Sequence, residues 1–405
     1  MATRNIWSDL YGVGFQTTSI STAASASFGI PLLNHPSFSP GTQTINQRKA
    51  VGTSYRRTGS CLEYTQGASI PTTSFEMDVS AKNISLFLWS LFQTSSFQGA
   101  GATYPKYFVP YEDSTTEMWL TLVRKLAEDT DANSHAIAGA IVKSITLSAE
   151  EGQHLKATVE FQGYSFSSAY DTAGDTFTFH AASCLLWQNA VVTLDGHTVN
   201  IPGFEMTISN NALTKFYDNA TAVRHDVGEF TVTGSIKMPY AAADEGSNVQ
   251  LDKFAAGTAS RLVISWVNSG ELADADGELT IIAHIRRTDV VVEGEDEIIS
   301  SVSFECASDK YTSSVIDASS SIAVNGTAVT GTNTKFKNFN VGDLLYPFGC
   351  TAPGDQTVRV ITAISSDTAM TVFPGFSTGE SGKIYKILST PLTITVCDST
   401  DLTGI

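Results

Sequence analysis

Basic residues are scarce: Lys and Arg number 24 against 41 Asp and Glu in 405 residues, a formal net charge of −17. Nucleic-acid affinity comes largely from Lys and Arg displacing counterions from phosphate, so this balance argues against a sequence-reading DNA binder. Charged residues make up only 16% of the chain and hydrophobic ones 42%, the composition of a folded protein. No run reaches the roughly 18 consecutive apolar residues that a membrane helix needs, and Met1-Ala2-Thr3-Arg4-Asn5 leads into no apolar signal core. The expectation is a soluble protein made in a cytoplasm. Cysteine is sparse too. Cys61, Cys184, Cys306, Cys350 and Cys397 are odd in number, far apart and without a C-x-x-C, which argues against a disulfide framework or a zinc site and reads as buried reduced thiols.

The motifs of catalysis are missing as well. There is no G-x-S-x-G elbow, no Walker loop and no strand-linked G-x-G-x-x-G. His180 and Cys184, four apart, supply two ligands where zinc needs three or four. Asp274-Ala275-Asp276-Gly277-Glu278 opens like a calcium loop, but Gly277 stands fourth instead of sixth and Ile285 occupies the place of the terminal Glu, so it reads as a solvated acidic turn. Glu293-Gly294-Glu295-Asp296-Glu297 reads as a turn between two strands, the sharper alternative being an acidic surface for a partner or polyanion. No pair of carboxylates is singled out for glycoside hydrolysis. No catalytic, cofactor-binding or metal-ligating residue is therefore assigned, no cofactor is expected, and the chain reads as non-enzymatic.

What is present favours strands. Ser and Thr are abundant and helix formers few, which makes the class mainly β. Residues 1–50, with Pro31, Pro36 and Pro40 among apolar Phe15, Phe28, Ile30, Leu32 and Leu33, read as an extended N-terminal arm that either wraps a neighbour or stays poorly ordered. One helix is predicted over 82–94, where Ile84, Phe87, Leu88, Leu91 and Phe92 form a single stripe with Ser80 or Asn83 as cap. Ile141, Lys143, Ile145 and Leu147 alternate with Val142, Ser144, Thr146 and Ser148. After the turn at Glu150-Glu151-Gly152, Leu155, Ala157, Val159 and Phe161 alternate with Lys156, Thr158, Glu160 and Gln162. This predicts a long hairpin with one apolar and one polar face. Phe204, Met206 and Ile208, then Phe230, Val232, Ile236 and Met238, repeat the pattern, and Asp195-Gly196-His197 reads as a turn between strands at 191–194 and 198–201. These strands belong to one β body over 51–310.

A second unit, residues 311–405, is predicted as a small C-terminal β-barrel or sandwich. Asn325-Gly326 reads as a hairpin turn between 322–324 and 327–329, with further strands at 344–348, 358–364, 369–373, 384–388 and finally 392–396.

The order of pieces in the body resembles the major tail tube proteins of long-tailed bacteriophages. Ile70-Pro71-Thr72-Thr73-Ser74-Phe75-Glu76 runs into the apolar helix, followed by the hairpin from Gly139-Ala140-Ile141 to Phe161-Gln162-Gly163. Then come Gly203-Phe204-Glu205-Met206-Thr207-Ile208-Ser209-Asn210-Asn211 and Gly228-Glu229-Phe230-Thr231-Val232-Thr233-Gly234-Ser235-Ile236. The C-terminal unit is similar to small β modules of phage tail and fibre proteins, through Val329-Thr330-Gly331-Thr332-Asn333-Thr334-Lys335-Phe336 and Val341-Gly342-Asp343.

The resemblance implies a tail-tube-like β-sandwich or half-barrel with one flanking α-helix. It implies a structural virion protein whose hexameric rings stack into a filament, alongside tape measure, terminator and baseplate proteins. Phage DNA passes through the lumen without specific binding. Ser144, Thr146, Thr158, Glu160 and Gln162 are candidates for a wet face, with Ile145, Leu147, Val159 and Phe161 packing inside. The arm is expected to bridge to an adjacent subunit or ring, and the unit from about Ser313 to Leu388 to project outward as decoration. The alternatives are another phage β-protein (terminator, decoration or fibre) and a carbohydrate-binding or glycan-active β-protein.

Overall fold

The computed structural model describes residues 9–16, 20–41, 45–48, 63–66, 70–93, 105–110, 118–126, 134–179, 184–215, 224–239, 247–266, 277–293, 299–307 and 320–397. Over these the chain is mainly β, sandwich-like, with sheets that are not closed into barrels. The predicted helix is present as α1, Ala81–Phe92; a second helix, α2, Ser247–Ala255, was not anticipated, its sequence carrying only a weak apolar stripe.

The body is organised by the strand Ser134–Glu150. Its first half pairs with Trp119–Lys125 and Ser165–Tyr170, its second with Lys156–Gln162 and Gly203–Ser209, so one strand belongs to two sheets. The change of direction falls at Gly139, whose φ of +60° and lack of a Cβ let the backbone pass Ile20: a Cβ there would lie 2.4 Å from the Ile20 carbonyl oxygen. Three residues on, a register shift between Val142 and Ser144 leaves Lys143 exposed as a bulge. The simple alternation expected from the sequence placed Lys143 in line with Ile145. The bulge corrects this, putting Val142, Ile145 and Leu147 together in the core.

α1 lies on this strand, and eleven of its residues are buried. Ser80 caps its start, the side chain accepting the Asn83 N–H at 3.3 Å. Its end is closed by Gln93 in the left-handed region and by Asn210, whose Nδ2 donates to the carbonyls of Leu91 (3.2 Å) and Val142 (2.8 Å). Phe87 and Phe75 both pack on Phe161, with ring centroids 5.6 and 4.9 Å apart. Each such fully buried aromatic contributes about 1.5–3 kcal/mol relative to exposure.

Of the N-terminal fifty residues, 9–16 and 20–41 lie against the body, while Ile45–Arg48 pairs with Glu63–Gln66 in a separate two-stranded sheet. Leu10–Gln16 is a strand antiparallel to Trp119–Lys125. Residues 33–39 run along the outer edge of Thr72–Asp78, Leu33 donating its N–H to Glu76 and Ser39 exchanging both backbone bonds with Thr72. Phe28 and Ile30, which needed cover, find it in the chain's own core. The segment thereby blunts an otherwise open sheet edge.

In the C-terminal region two predicted turns are absent. Asn325-Gly326 lies inside one strand, Ser321–Thr332, where Gly326 (φ +55°) stands opposite Phe376 between two register shifts whose extra residues belong to the partner strand. The expected strands at 369–373 and 384–388 are one strand, Ala369–Leu388, because Ser321–Thr332 pairs along most of its length. Leu344–Phe348 and Arg359–Ser366 complete a bent four-stranded sheet around Val324, Phe336, Leu345, Ile361 and Ile387. The strand Leu392–Cys397, expected to close this unit, instead enters the body sheet between Glu278–Glu293 and Pro105–Phe108. Its buried Leu392, Ile394 and Val396 belong to the body core, which gives the reason.

Candidate functional site

Six strands lie side by side in the order Thr72–Asp78, Lys156–Gln162, Ser134–Glu150, Gly203–Ser209, Thr231–Pro239 and Ile299–Cys306. One face carries Phe75, Val159, Ile145, Ile208, Val232 and Phe304 into the core. Because side chains alternate along each strand, the other face must collect the polar set. In register across the sheet it reads Glu76, Thr158, Thr146, Thr207, Thr233, Glu305 in one row and Asp78, Lys156, Ser148, Glu205, Ser235, Ser303 in the next. A third row, Ser74, Glu160, Ser144, Ser209, Thr231, lies on the other side of the first. At about 4.8 Å per strand this face is roughly 25 Å wide.

Its groups satisfy one another. The Thr146 and Thr207 hydroxyls are 2.9 Å apart, and Ser144 donates to a Glu160 carboxylate oxygen at 2.9 Å. Of the lysines on the face, Lys237 lies 3.5 Å from Glu150, and Lys156 is the cross-strand neighbour of Asp78, which itself lies 3.6 Å from His154 Nδ1. A shallow cleft of about 370 Å³ between Glu76, Glu150, Lys156, Glu205 and Lys237 is part of the same surface. The face therefore offers a polyanion neutral hydroxyls and carboxylates, with its ammonium groups beside acids.

Of the five residues expected on a wet face, Ser144, Thr146, Thr158 and Glu160 are there and Gln162 is not. Gln162 is buried where a hairpin, Leu213–Lys215 with Arg224–Asp226, covers that end; its Nε2 donates to Thr214 Oγ1. The hairpin is held by His225, whose Nε2 donates to the Gly139 carbonyl (3.0 Å) and whose Nδ1 accepts from Thr214 (3.0 Å). Burial keeps the His225 pKa below its ordinary value. Thr207, Ser209, Thr233 and Ser235 were not assigned to this face from sequence. Their alternation was visible; their place beside Ser134–Glu150 was not, because pairing of distant segments leaves no local signal.

The other sequence candidates are dispersed. His180, Asp274, Asp276 and residues 294–297 lie outside the described residues, as does Cys61. Cys184 is half-buried, and burial, with the Asp78 charge, raises its thiol pKa. Asp195-Gly196 forms the predicted turn, with Thr193 opposite Thr198, and Asp195 accepts from Lys253 Nζ and the Arg261 N–H, both at 2.7 Å. Among the described residues no group of three His, Cys, Asp or Glu is placed to hold a metal ion.

A second cleft, of about 240 Å³, lies where the C-terminal sheet meets the body, between Asp195, Arg261, His284, Asn340, Asp343 and Ser389. Burial pushes Asp343 up to about 6, outweighing the N–H groups of Asn340 (2.8 Å) and Thr390 (3.3 Å) and the Arg261 charge that favour its anion.

Comparison with known families decides among the structural readings. The sequence model of the phage tail tube protein family matches residues 11–306. The chain belongs to that family. No curated protein matches it. The tail tube protein is accordingly a structural component of the virion tail, as the ordered series of strands and helix led one to expect. The match runs from Leu10–Gln16 to the end of Ile299–Cys306, so it contains the whole polar face, and it stops where the chain of the tail tube protein leaves the body sheet for the C-terminal one.

Proposed function

We propose that this tail tube protein assembles into hexameric rings that stack into the tail tube, with the hydroxyl-rich face lining a channel through which DNA is ejected. The face itself carries the reading. A wide sheet surface of hydroxyls and carboxylates with few lysines suits a wall along which a polyanion moves, since every Lys or Arg on phosphate releases counterions and adds drag. The net charge of −17 points the same way.

Ring closure needs edges that pair between copies. Ser165–Tyr170, partnered on one side by Ser134–Glu150, is such an edge among the described residues, and a head-to-tail contact that closes by rotation removes it. Tape measure, terminator and baseplate proteins are the further partners in this reading, and synthesis takes place in the host cytoplasm. Negative-stain microscopy of the purified protein tests it: six-fold rings or long hollow filaments are expected, whereas solid fibres or a persistent monomer at all concentrations would contradict it.

A further inference from the structure

The strand Glu278–Glu293 has two partners end to end along one edge. Ile299–Cys306 pairs with its later part and finishes with Cys306 opposite Ile285; Leu392–Cys397 pairs with its earlier part and starts with Leu392 opposite Ala283. Both run antiparallel to it. Ser260–Trp266 covers 279–285 from the opposite edge, so the two partners are collinear.

The single position between them, opposite His284, is filled by two residues. Ala307 donates its N–H to the His284 carbonyl at 3.0 Å, and the His284 N–H donates to the Pro391 carbonyl at 2.9 Å. In a continuous antiparallel ladder one residue makes both bonds. Pro391 has no N–H, and Ala307 supplies the missing half.

We infer that residues 308–391 are an insertion into one continuous strand, and that the body is a complete folding unit without them. Joining Ala307 to Leu392 restores a residue with both N–H and C=O opposite His284 and keeps every flanking pair in register. Three other observations agree. The inserted segment has its own core, built on Val324, Phe336, Leu345 and Ile361. The family match ends at 306. The apolar contact of the inserted sheet with the body is one cluster, Leu344, Val358, Val360 and Phe373 around Val109 and Tyr107. Whatever the inserted sheet does is thus separable from building the body, and the inference stands whether or not the body forms tubes.

Three chains test it, read by hydrogen exchange at Thr280, Ile282 and His284, whose amides point toward the composite strand, and by thermal unfolding. One joins Ala307 to Leu392; one joins Cys306 to Leu392, a residue shorter; one stops after Ala307. A parallel set carries Val109→Thr and Tyr107→Thr, so that the uncovered apolar contact does not itself cause aggregation. The in-register splice should unfold cooperatively with protection within about tenfold of the full chain. The shorter splice reverses the facing of every residue after it, and the truncation removes the strand, so both should lose protection by roughly a hundredfold or more. Failure of the in-register splice to fold in both backgrounds, or equal protection in the shorter splice or the truncation, would overturn the inference.

Discussion

Thr146 and Thr207 lie on neighbouring strands with their hydroxyl oxygens 2.9 Å apart, in the middle of a row that runs from Glu76 to Glu305 across six strands. One hydroxyl donates to the other, and the nearest charged groups along the row are carboxylates. The surface is wet without being adhesive toward phosphate. This property connects the alternation of the strands to the proposed passage of DNA.

Thr158→Lys with Thr233→Lys should convert that wall into a binding surface. Both positions are exposed, so unfolding of the isolated chain should change little. Assembled tubes should instead retain double-stranded DNA at low salt and release it as salt rises, and phage carrying the change should eject more slowly. DNA binding by the monomer with unchanged ejection would place this face elsewhere in the tail.

Asp355→Ala should destabilise the C-terminal sheet selectively. Its carboxylate accepts the N–H and hydroxyl of both Ser377 and Thr378 and pairs with Arg359 Nη2 at 3.0 Å; the Arg359 guanidinium lies 4.0 Å over the Phe376 ring. Removing the acid leaves a buried guanidinium without its counter-charge, a loss of about 3–5 kcal/mol. In wild type, burial works against the Asp355 anion, but these donors more than offset it and the pKa is lowered. That stability is therefore present above pH 3.8 and lost as pH falls through the lower folded value. Denaturant unfolding followed at the inserted sheet and at the body separately checks it: the first transition should move and the second should not.

Mild acid should affect two sites in opposite directions. His225 has its folded pKa below the ordinary 6.5, so as pH drops through 6.5 the unfolded chain takes up the proton first and the native hairpin loses stability. Asp343 has its folded pKa at about 6 against 3.8, so between those values the native state binds the proton first and the junction with the inserted sheet gains stability. Unfolding measured from about pH 7.5 down to about pH 4, a range in which both groups titrate, separates them by substitution. His225→Asn should remove the loss and Asp343→Asn the gain; a variant with an unaltered pH profile would refute its half.

Gly139→Ala should damage the corner between the two sheets. The new Cβ would meet the Ile20 carbonyl oxygen at 2.4 Å and Tyr164 Cβ at 2.6 Å in a left-handed backbone. Strain of about 1–3 kcal/mol is expected from the backbone alone, with loss of the His225 and Gln16 bonds to Gly139 in addition. A melting temperature equal to wild type would show that the corner tolerates a side chain.

The parts of this fold that were legible in the sequence are local ones. Ile84 to Phe92 declare a helix by their spacing, and Ser80 marks its start. The hairpin through Gly152 and the Asp195-Gly196 turn are set by residues adjacent in the chain. Asn325-Gly326 carries the same local signal and misleads, because a long partner strand pairs on both sides of the left-handed glycine and takes up the irregularity in its own bulges. What the sequence could not disclose depends on distant partners: Gly203–Ser209 beside Ser144–Glu150 in the polar face, Gln162 beneath the His225 hairpin, and Leu392–Cys397 resuming the line of Ile299–Cys306. In each case the deciding interaction is packing between segments far apart in the chain. The alternating polar face was readable strand by strand, but its width was not.

A three-dimensional reconstruction of the assembled filament by electron cryomicroscopy bears most directly on the central claim. The account predicts a hollow tube of stacked six-fold rings, with Thr146, Thr158, Thr207 and Thr233 on the channel wall. Finding these four threonines on the outer surface, or closed within a contact between rings, would contradict it.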